Sequence, residues 1–154
     1  MLLIICLYIY ILIYIKKLFK IKLKKNKKKI VVSGGNGRFA TVLKKTIDTK
    51  NYNFPSKSQM NILNLGSLEK YLKLKKPKYF IHVAGLSRPM NIHDKKISKS
   101  IDLNIIGTAN VVKICEKYKI KLIYFSTNYV YPSKKGNYKE HHPLLPFNNY
   151  AWSK

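Results

Sequence analysis

A short β-branched run that breaks into glycines and resumes as a helix restricts the fold of this sequence more than any other feature. Residues 30–32 read Ile-Val-Val, residues 33–37 read Ser-Gly-Gly-Asn-Gly, and apolar residues from Phe39 to Ile47 then recur at helical spacing. This order predicts a strand, a tight glycine turn and a helix. Such a turn lets the backbone approach a pyrophosphate group, and the helix N-terminus that follows offers unpaired N–H groups.

The rest of the chain continues the alternation of strands and helices. Predicted strands cover Tyr52–Ser56, Tyr79–Ala84 and Leu122–Ser126, and predicted helices run from a Ser67 cap to just before Pro77 and from Ile97 to Tyr118. Strands alternating with helices form parallel sheets through right-handed crossovers. The sequence therefore predicts an α/β fold, an incomplete doubly wound parallel sheet of the Rossmann type over residues 30–154, with the strand near Pro55 at its edge.

An apolar leader precedes this domain. All 15 residues from Met1 to Ile15 are apolar or aromatic, and nine of the next 14 are lysines. Fifteen helical residues span about 22 Å, less than a hydrocarbon core of about 30 Å, so an anchor must extend to Leu23 with its lysines reaching the head groups. We predict that residues 1–23 form an N-terminal apolar helix that anchors the protein in the membrane, and that residues 24–29 form a basic linker. The positive-inside rule then places the domain on the cytoplasmic side. Alternatives are a peripheral segment held by anionic lipid, or a cytoplasmic protein whose leader does little.

The charge of the chain has two sources. There are 31 Lys+Arg against 6 Asp+Glu, a formal net charge of +25. Nine of the lysines belong to the segment beside the leader, and abundant Lys, Ile, Asn and Tyr are typical of A+T-rich coding. We therefore expect lipid rather than nucleic acid as any polyanionic partner. Two cysteines, Cys6 and Cys115, form no closely spaced framework, which indicates a reducing compartment.

The glycine turn has the spacing of a dinucleotide-binding site. Gly34, Gly37 and Ala40 have the spacing G-x-x-G-x-x-A. The usual dinucleotide-binding fingerprint is G-x-G-x-x-G/A, so the first two glycines here are one residue further apart. The acid that usually takes the ribose hydroxyls, about twenty residues on, is absent. Lys57, flanked by Ser56 and Ser58, stands there instead, which favours NADP over NAD.

Several segments together resemble one enzyme family. They are the turn at residues 33–40, the strand end at 82–85, the run Asn-Ile-Ile-Gly-Thr-Ala-Asn-Val at 104–111, Phe-Ser-Thr-Asn-Tyr-Val-Tyr at 125–131, and Asn-Tyr-Ala-Trp-Ser-Lys at 149–154. Over residues 28–154 the chain resembles the extended short-chain dehydrogenase/reductases. Within that family it is most similar to sugar-nucleotide reductases of the dTDP-4-dehydrorhamnose reductase type.

The resemblance implies an oxidoreductase acting on a nucleotide-sugar. Tyr150 would protonate a ketone oxygen as hydride arrives, Thr127 would orient the carbonyl, and Lys154 would hold the nicotinamide ribose. Tyr150 and Lys154 share a helix face, and a cation beside a phenol is expected to lower its pKa. Asn104 matches a structural asparagine of the family. The cofactor-binding residues implied are Gly34, Gly37, Arg38, Phe39, Ala40, Lys57, Asn61, Ile62, Ala84, Gly85 and Lys154.

The position of the last residue limits what we expect of this chain alone. The family's helix continues beyond the lysine, whereas here the sequence stops at Lys154. A five-residue helical end is expected to be poorly held, so we predict weak cofactor binding and no catalysis by the chain alone. Alternatives are an NAD-dependent epimerase or dehydratase fragment, a non-catalytic remnant, or an anionic-lipid-binding protein. His141 and His142 lack companion ligands, so we expect no metal site.

Overall fold

A parallel sheet forms the centre of the computed structural model, which describes residues 30–132 and 136–154. Within this part of the chain the strands are β1 (Ile30–Val32), β2 (Tyr52–Asn53), β3 (Tyr79–His82) and β4 (Lys121–Tyr124). All pairings are parallel, in the order β2-β1-β3-β4. The predicted α/β fold with a parallel sheet is confirmed, and the weak second strand lies at the edge.

Helical segments connect the strands. They are α1 (Arg38–Thr46), α2 (Leu65–Lys75), α3 (Ile92–Lys95), α4 (Ile97–Ser100), a π-helical turn (Ile101–Ile106), α5 (Gly107–Lys117), a 3-10 turn (Asn128–Val130) and α6 (Asn149–Trp152). The predicted helix from Ile97 to Tyr118 is therefore present as three consecutive segments. The residues at both joins keep right-handed helical dihedral angles, so the chain does not change direction there.

Side chains of β1 alternate between the two faces of the sheet. Val31 packs with residues of α2 and α5, including Leu68 and Val111, whereas Ile30 and Val32 pack with Leu43 of α1. Helices thus cover both faces, as the doubly wound pattern requires.

The start of α2 differs from the prediction. Asn64, not Ser67, is the N-cap, and its Oδ1 accepts a hydrogen bond from the Ser67 N–H at 2.8 Å. Ser67 Oγ instead accepts from the Asn61 N–H at 3.3 Å, which ties the preceding loop to the helix. Asn and Ser cap helices about equally well, so cap preference alone could not choose between them.

The strand order creates a crevice at the carboxyl end of the sheet. From β1 the chain crosses to β2 on one side, and the next strand, β3, lies on the other side of β1. Connections leaving neighbouring strands in opposite directions open a ligand-binding crevice beyond their carboxyl ends. Residues that follow β1 and β3 therefore line the expected site.

The membrane anchor remains a prediction. Within residues 30–132 and 136–154, no helix combines the length and apolar character needed to cross a bilayer. The predicted anchor over residues 1–23 and linker over 24–29 lie outside the described residues.

Candidate active site at the carboxyl edge of the sheet

The glycine turn is wedged between the ends of two strands. Gly34 has a φ of +69°, and a Cβ added to it would lie 3.1 Å from the Ala84 Cα. A Cβ on Gly35 would lie 2.5 Å from the Phe54 carbonyl oxygen, beyond β2. Both positions require glycine for close backbone approach. The turn thus brings predicted cofactor residues Gly34 and Ala84 together.

Hydrogen bonds fix the glycine turn that precedes α1. The Gly37 N–H donates to Gly34 O at 2.8 Å, and Lys44 Nζ donates to Gly35 O at 2.7 Å. Gly37 is the N-cap of α1 and, as a glycine, offers no side-chain cap to the first turn of the helix. Ala40 is fully buried, as close helix packing requires.

The other predicted cofactor residues divide into exposed and buried groups. Arg38 and Lys57 are exposed near the turn, and Phe39 packs against Phe125 with ring centroids 4.9 Å apart. Asn61 Oδ1 accepts from the Leu63 N–H at 3.0 Å. Ile62 is a buried core residue whose side chain packs against Gly107.

Tyr150 lies among groups from three other segments. Burial raises its pKa, and the hydroxyl of Thr127 and the guanidinium of Arg88 partly offset that rise. The His93 ring packs against Tyr150 with centroids 4.9 Å apart. The expectation that Lys154 lowers the pKa of Tyr150 is wrong for this structure, because the cation acting on the phenol is Arg88.

Lys154 lies over a different aromatic ring. Its Nζ is 4.6 Å from the centroid of Tyr124, and burial lowers the pKa of Lys154 to about 8. The same Nζ is 4.0 Å from the position of a Cβ added to Gly85. Predicted residues Gly85 and Lys154 are therefore neighbours.

Asn104 anchors the segment that carries Tyr150 and Lys154. Its Nδ2 donates to Leu86 O at 2.9 Å and to Ser153 Oγ at 2.8 Å, and its Oδ1 accepts from the Leu86 N–H at 2.6 Å. Asn148 Oδ1 caps α6 through the Ala151 N–H at 2.8 Å. These hydrogen bonds tie the short helical segment to the loop after β3, whereas the expectation that the segment is poorly held stays a prediction.

Comparison with known proteins identifies the family. The model of the RmlD substrate binding domain matches residues 28–154. The chain belongs to the RmlD substrate-binding domain family. A curated N-acetyl-alpha-D-glucosaminyl-diphospho-ditrans,octacis-undecaprenol 4-epimerase from Escherichia coli O157:H7 is 44% identical over 54 residues, which cover 34% of this chain and 16% of the epimerase.

Two solved structures carry the same fold. A dTDP-4-dehydrorhamnose reductase from Bacillus anthracis str. Ames, in complex with NADP, superposes with a TM-score of 0.76 at 25% identity, over 84% of this chain and 47% of that one. A dTDP-4-dehydrorhamnose reductase from Clostridium acetobutylicum ATCC 824 gives a TM-score of 0.72 at 23% identity, over 81% and 45%. The RmlD-family chain therefore spans less than half the length of these two structures.

A polar row that the sequence patterns did not reveal crosses the sheet of this RmlD-family domain. Ser33 Oγ accepts from the Val83 and Ala84 N–H groups at 3.1 and 3.0 Å and lies 2.8 Å from His82 Nδ1. His82 Nε2 lies 3.1 Å from Thr108 Oγ1. Burial raises the pKa of Tyr124, the Thr108 hydroxyl partly offsets that rise, and the Tyr124 hydroxyl donates to Lys154 O at 3.2 Å.

Strand register explains this row. His82 of β3 lies directly opposite Tyr124 of β4, and Ser33 follows Val32, which lies opposite Ile81. All three side chains point to the α5 face, where Thr108 lies beside His82 and acts on the phenol of Tyr124. Burial, followed by the charge of Lys154, lowers the pKa of His82 to about 4, so the imidazole is neutral at physiological pH. The usable signal in the sequence was a polar residue at or just after the end of each of three predicted strands.

A groove lies behind Lys154, away from Tyr150. Its volume is about 590 Å³, and its lining includes Ile105, Ala109, Val112, Tyr124 and Trp152 but neither Thr127 nor Tyr150. Among the described residues, no three His, Cys, Asp or Glu side chains gather as metal ligands.

Proposed function

We propose that this chain binds NADP(H) and carries the proton-transfer groups of a sugar-nucleotide reductase. The observation that supports this most directly is a continuous line of contacts along the carboxyl edge of the sheet. Gly34 touches Ala84, and the next residue, Gly85, lies beside Lys154. A dinucleotide lying along this line would place its pyrophosphate at the glycine turn and its nicotinamide ribose near Lys154.

The residues at this edge suit a dinucleotide. Gly34 leaves the space that a Cβ would fill, and α1 begins without a side-chain cap. Arg38 and Lys57 are exposed cations near the turn, and no acid stands where an NAD-binding protein usually places one. Arg38 and Lys57 would hold the 2′-phosphate, and Lys154 would hold the nicotinamide ribose. The reductase from Bacillus anthracis, which shares this fold, was solved in complex with NADP.

The chemistry follows from the groups around Tyr150. NADPH, when bound, supplies the hydride that reduces a sugar ketone carbon. The phenol of Tyr150 gives its proton to the carbonyl oxygen, which yields an alcohol and leaves a phenolate. Thr127 and Arg88, which both lower the pKa of the phenol, would stabilise that phenolate.

Cofactor preference gives the first test. NADPH is expected to quench the intrinsic fluorescence of the purified chain saturably, with higher affinity than NADH. Lys57→Ala is expected to weaken NADPH binding about tenfold by removing one charged contact to the 2′-phosphate, and to leave NADH unchanged. Lys45→Ala, an exposed lysine on α1, is the matched control. Equal affinity for both cofactors, or equal effects of the two substitutions, contradicts this assignment.

We expect the chain to bind the cofactor without catalysing turnover. Within residues 30–132 and 136–154, the groove beside Lys154 is not lined by Thr127 or Tyr150, so this groove does not present a sugar to them. We expect the 154-residue chain to bind NADPH without oxidising it when a nucleoside-diphosphate 4-keto sugar is added. Absorbance at 340 nm measures this, and substrate-dependent loss of NADPH overturns the expectation.

A second candidate is an epimerase activity. The curated relative that is 44% identical over 54 residues is named as a 4-epimerase. An epimerase of this fold would use the same Tyr150–Lys154 pair with NAD, without net consumption of cofactor. Tighter binding of NAD(H) than of NADP(H) favours this alternative.

A further inference from the structure

We propose that Tyr124 is the positioning residue of Lys154, and that a one-way chain of hydrogen bonds from Ser33 through His82 and Thr108 sets the orientation of its phenol. Tyr124 contacts Lys154 twice, with its ring beneath the side-chain nitrogen at 4.6 Å and with its hydroxyl on the backbone carbonyl at 3.2 Å. What Lys154 does at this place rests on the proposed function. The way in which Tyr124 holds Lys154 is independent of the proposed function.

The direction of each hydrogen bond follows from counting protons. Ser33 Oγ already accepts two N–H groups, so its single proton is directed to His82 Nδ1. His82 is neutral, and an Nδ1 that accepts leaves the proton on Nε2. Nε2 therefore donates to Thr108 Oγ1 at 3.1 Å.

The chain continues in the same direction to Lys154. Thr108 Oγ1 accepts from His82, and its own proton is available to the oxygen of Tyr124. Tyr124 in turn donates to Lys154 O. A phenol that accepts from one fixed partner and donates to another has one preferred hydroxyl orientation, which holds the backbone of residue 154 in place.

The surroundings of the ammonium make its position measurable. The described titratable groups around Lys154 or the groove beside it include His82 of β3, Tyr124 of β4 and Lys113 of α5, and Tyr150 of α6 acts on Tyr124. Burial among them lowers the pKa of Lys154 to about 8, well below that of a solvated lysine. Release of Lys154 to solvent would reverse this shift.

The test measures the pKa of Lys154 directly in the protein without cofactor. Reductive methylation with 13C-formaldehyde labels the lysines, and Lys154→Arg identifies the Lys154 signal by its loss. The titration midpoint is expected near 8 in the parent protein. Tyr124→Phe keeps the ring but loses the hydroxyl, and is expected to raise the midpoint by one unit or more because the ammonium becomes solvated.

Three variants separate positioning from general damage. Tyr118→Phe removes a phenol hydroxyl that donates to Glu69, far from the site, and should leave the midpoint unchanged. Thr108→Val breaks the donor chain without changing shape and should raise the midpoint, whereas Thr108→Ser, which keeps a hydroxyl, should restore it. An unchanged midpoint in both Tyr124→Phe and Thr108→Val overturns the proposal, as does an equal rise in Tyr118→Phe.

Cofactor titration then distinguishes the two proposals. If the parent chain binds NADPH, Tyr124→Phe should weaken that binding about fivefold at pH 7, and Tyr118→Phe should not. Absence of NADPH binding by the parent chain counts against the proposed function alone. The amine titration still decides whether Tyr124 positions Lys154.

Discussion

Gly35→Ala is expected to lower the free energy of unfolding by about 3 kcal/mol or more, a large part of the stability of a domain of this size. The new Cβ would lie 2.5 Å from Phe54 O, 2.6 Å from Phe54 C and 2.7 Å from Pro55 O. All three are backbone atoms, so no side-chain rotation can relieve the contact. Either the glycine turn or the segment after β2 must move, and the Gly35 N–H bond to Pro55 O at 3.3 Å breaks with it.

Gly66→Ala is the matched control for this substitution. Gly66 lies in the first turn of α2, where the nearest atom to an added Cβ, Asn64 Oδ1, is 3.5 Å away. Alanine is the better helix former by up to about 1 kcal/mol, so this variant should be as stable as the parent or more so. Urea denaturation of both variants at pH 8 measures the difference. A Gly35→Ala domain of parental stability would mean that β2 is not held against the turn.

The sequence patterns predicted the fold well where local and tertiary preferences agree. The glycines after the Ile-Val-Val run both end the strand and allow close backbone packing. The structure places this strand inside the sheet, between β2 and β3. The interior of the Ile97 to Tyr118 helix was less predictable. A π-helical turn precedes Gly107, where Ile62 packs so closely that a Cβ would lie 2.7 Å from its Cδ1. A contact between residues 45 positions apart leaves no trace in helical periodicity.

The sequence predicted which residues form the site, but not the charges and burial around them. Spacing predicted Tyr150 and Lys154 on one helix, whereas α6 ends at Trp152 and Lys154 lies beyond it. The resemblance assigned their roles, and neither indicated which cation faces the phenol. Burial raises the pKa of Tyr150, and Arg88 reaches it from the loop after β3. Lys154 packs on Tyr124 instead. Burial and through-space charge depend on the register of β3 with β4, which composition and spacing do not specify.

Acidification is expected to destabilise the domain through His82. An unfolded histidine has a pKa of about 6.5, whereas burial lowers the pKa of His82 to about 4. Between these values the unfolded chain binds more protons than the folded one, so stability is complete above about pH 6.5 and falls as the pH approaches 4. The difference corresponds to about 3 kcal/mol. Urea denaturation at pH 8, 6.5, 5 and 4.5 measures the decline.

His82→Gln isolates this contribution from other titrating groups. The pKa of buried His93 is also lowered, so His93 adds to the slope in the same pH range, whereas the pKa of Glu69, lowered to about 2, affects a more acidic range. Glutamine keeps a polar group beside Ser33 and Thr108 but cannot titrate. The variant should be less stable than the parent at pH 8 and should lose less stability on acidification. Parallel pH profiles would mean that the imidazole is solvated, and the hydrogen-bond chain from Ser33 to Lys154 would then lack its central donor.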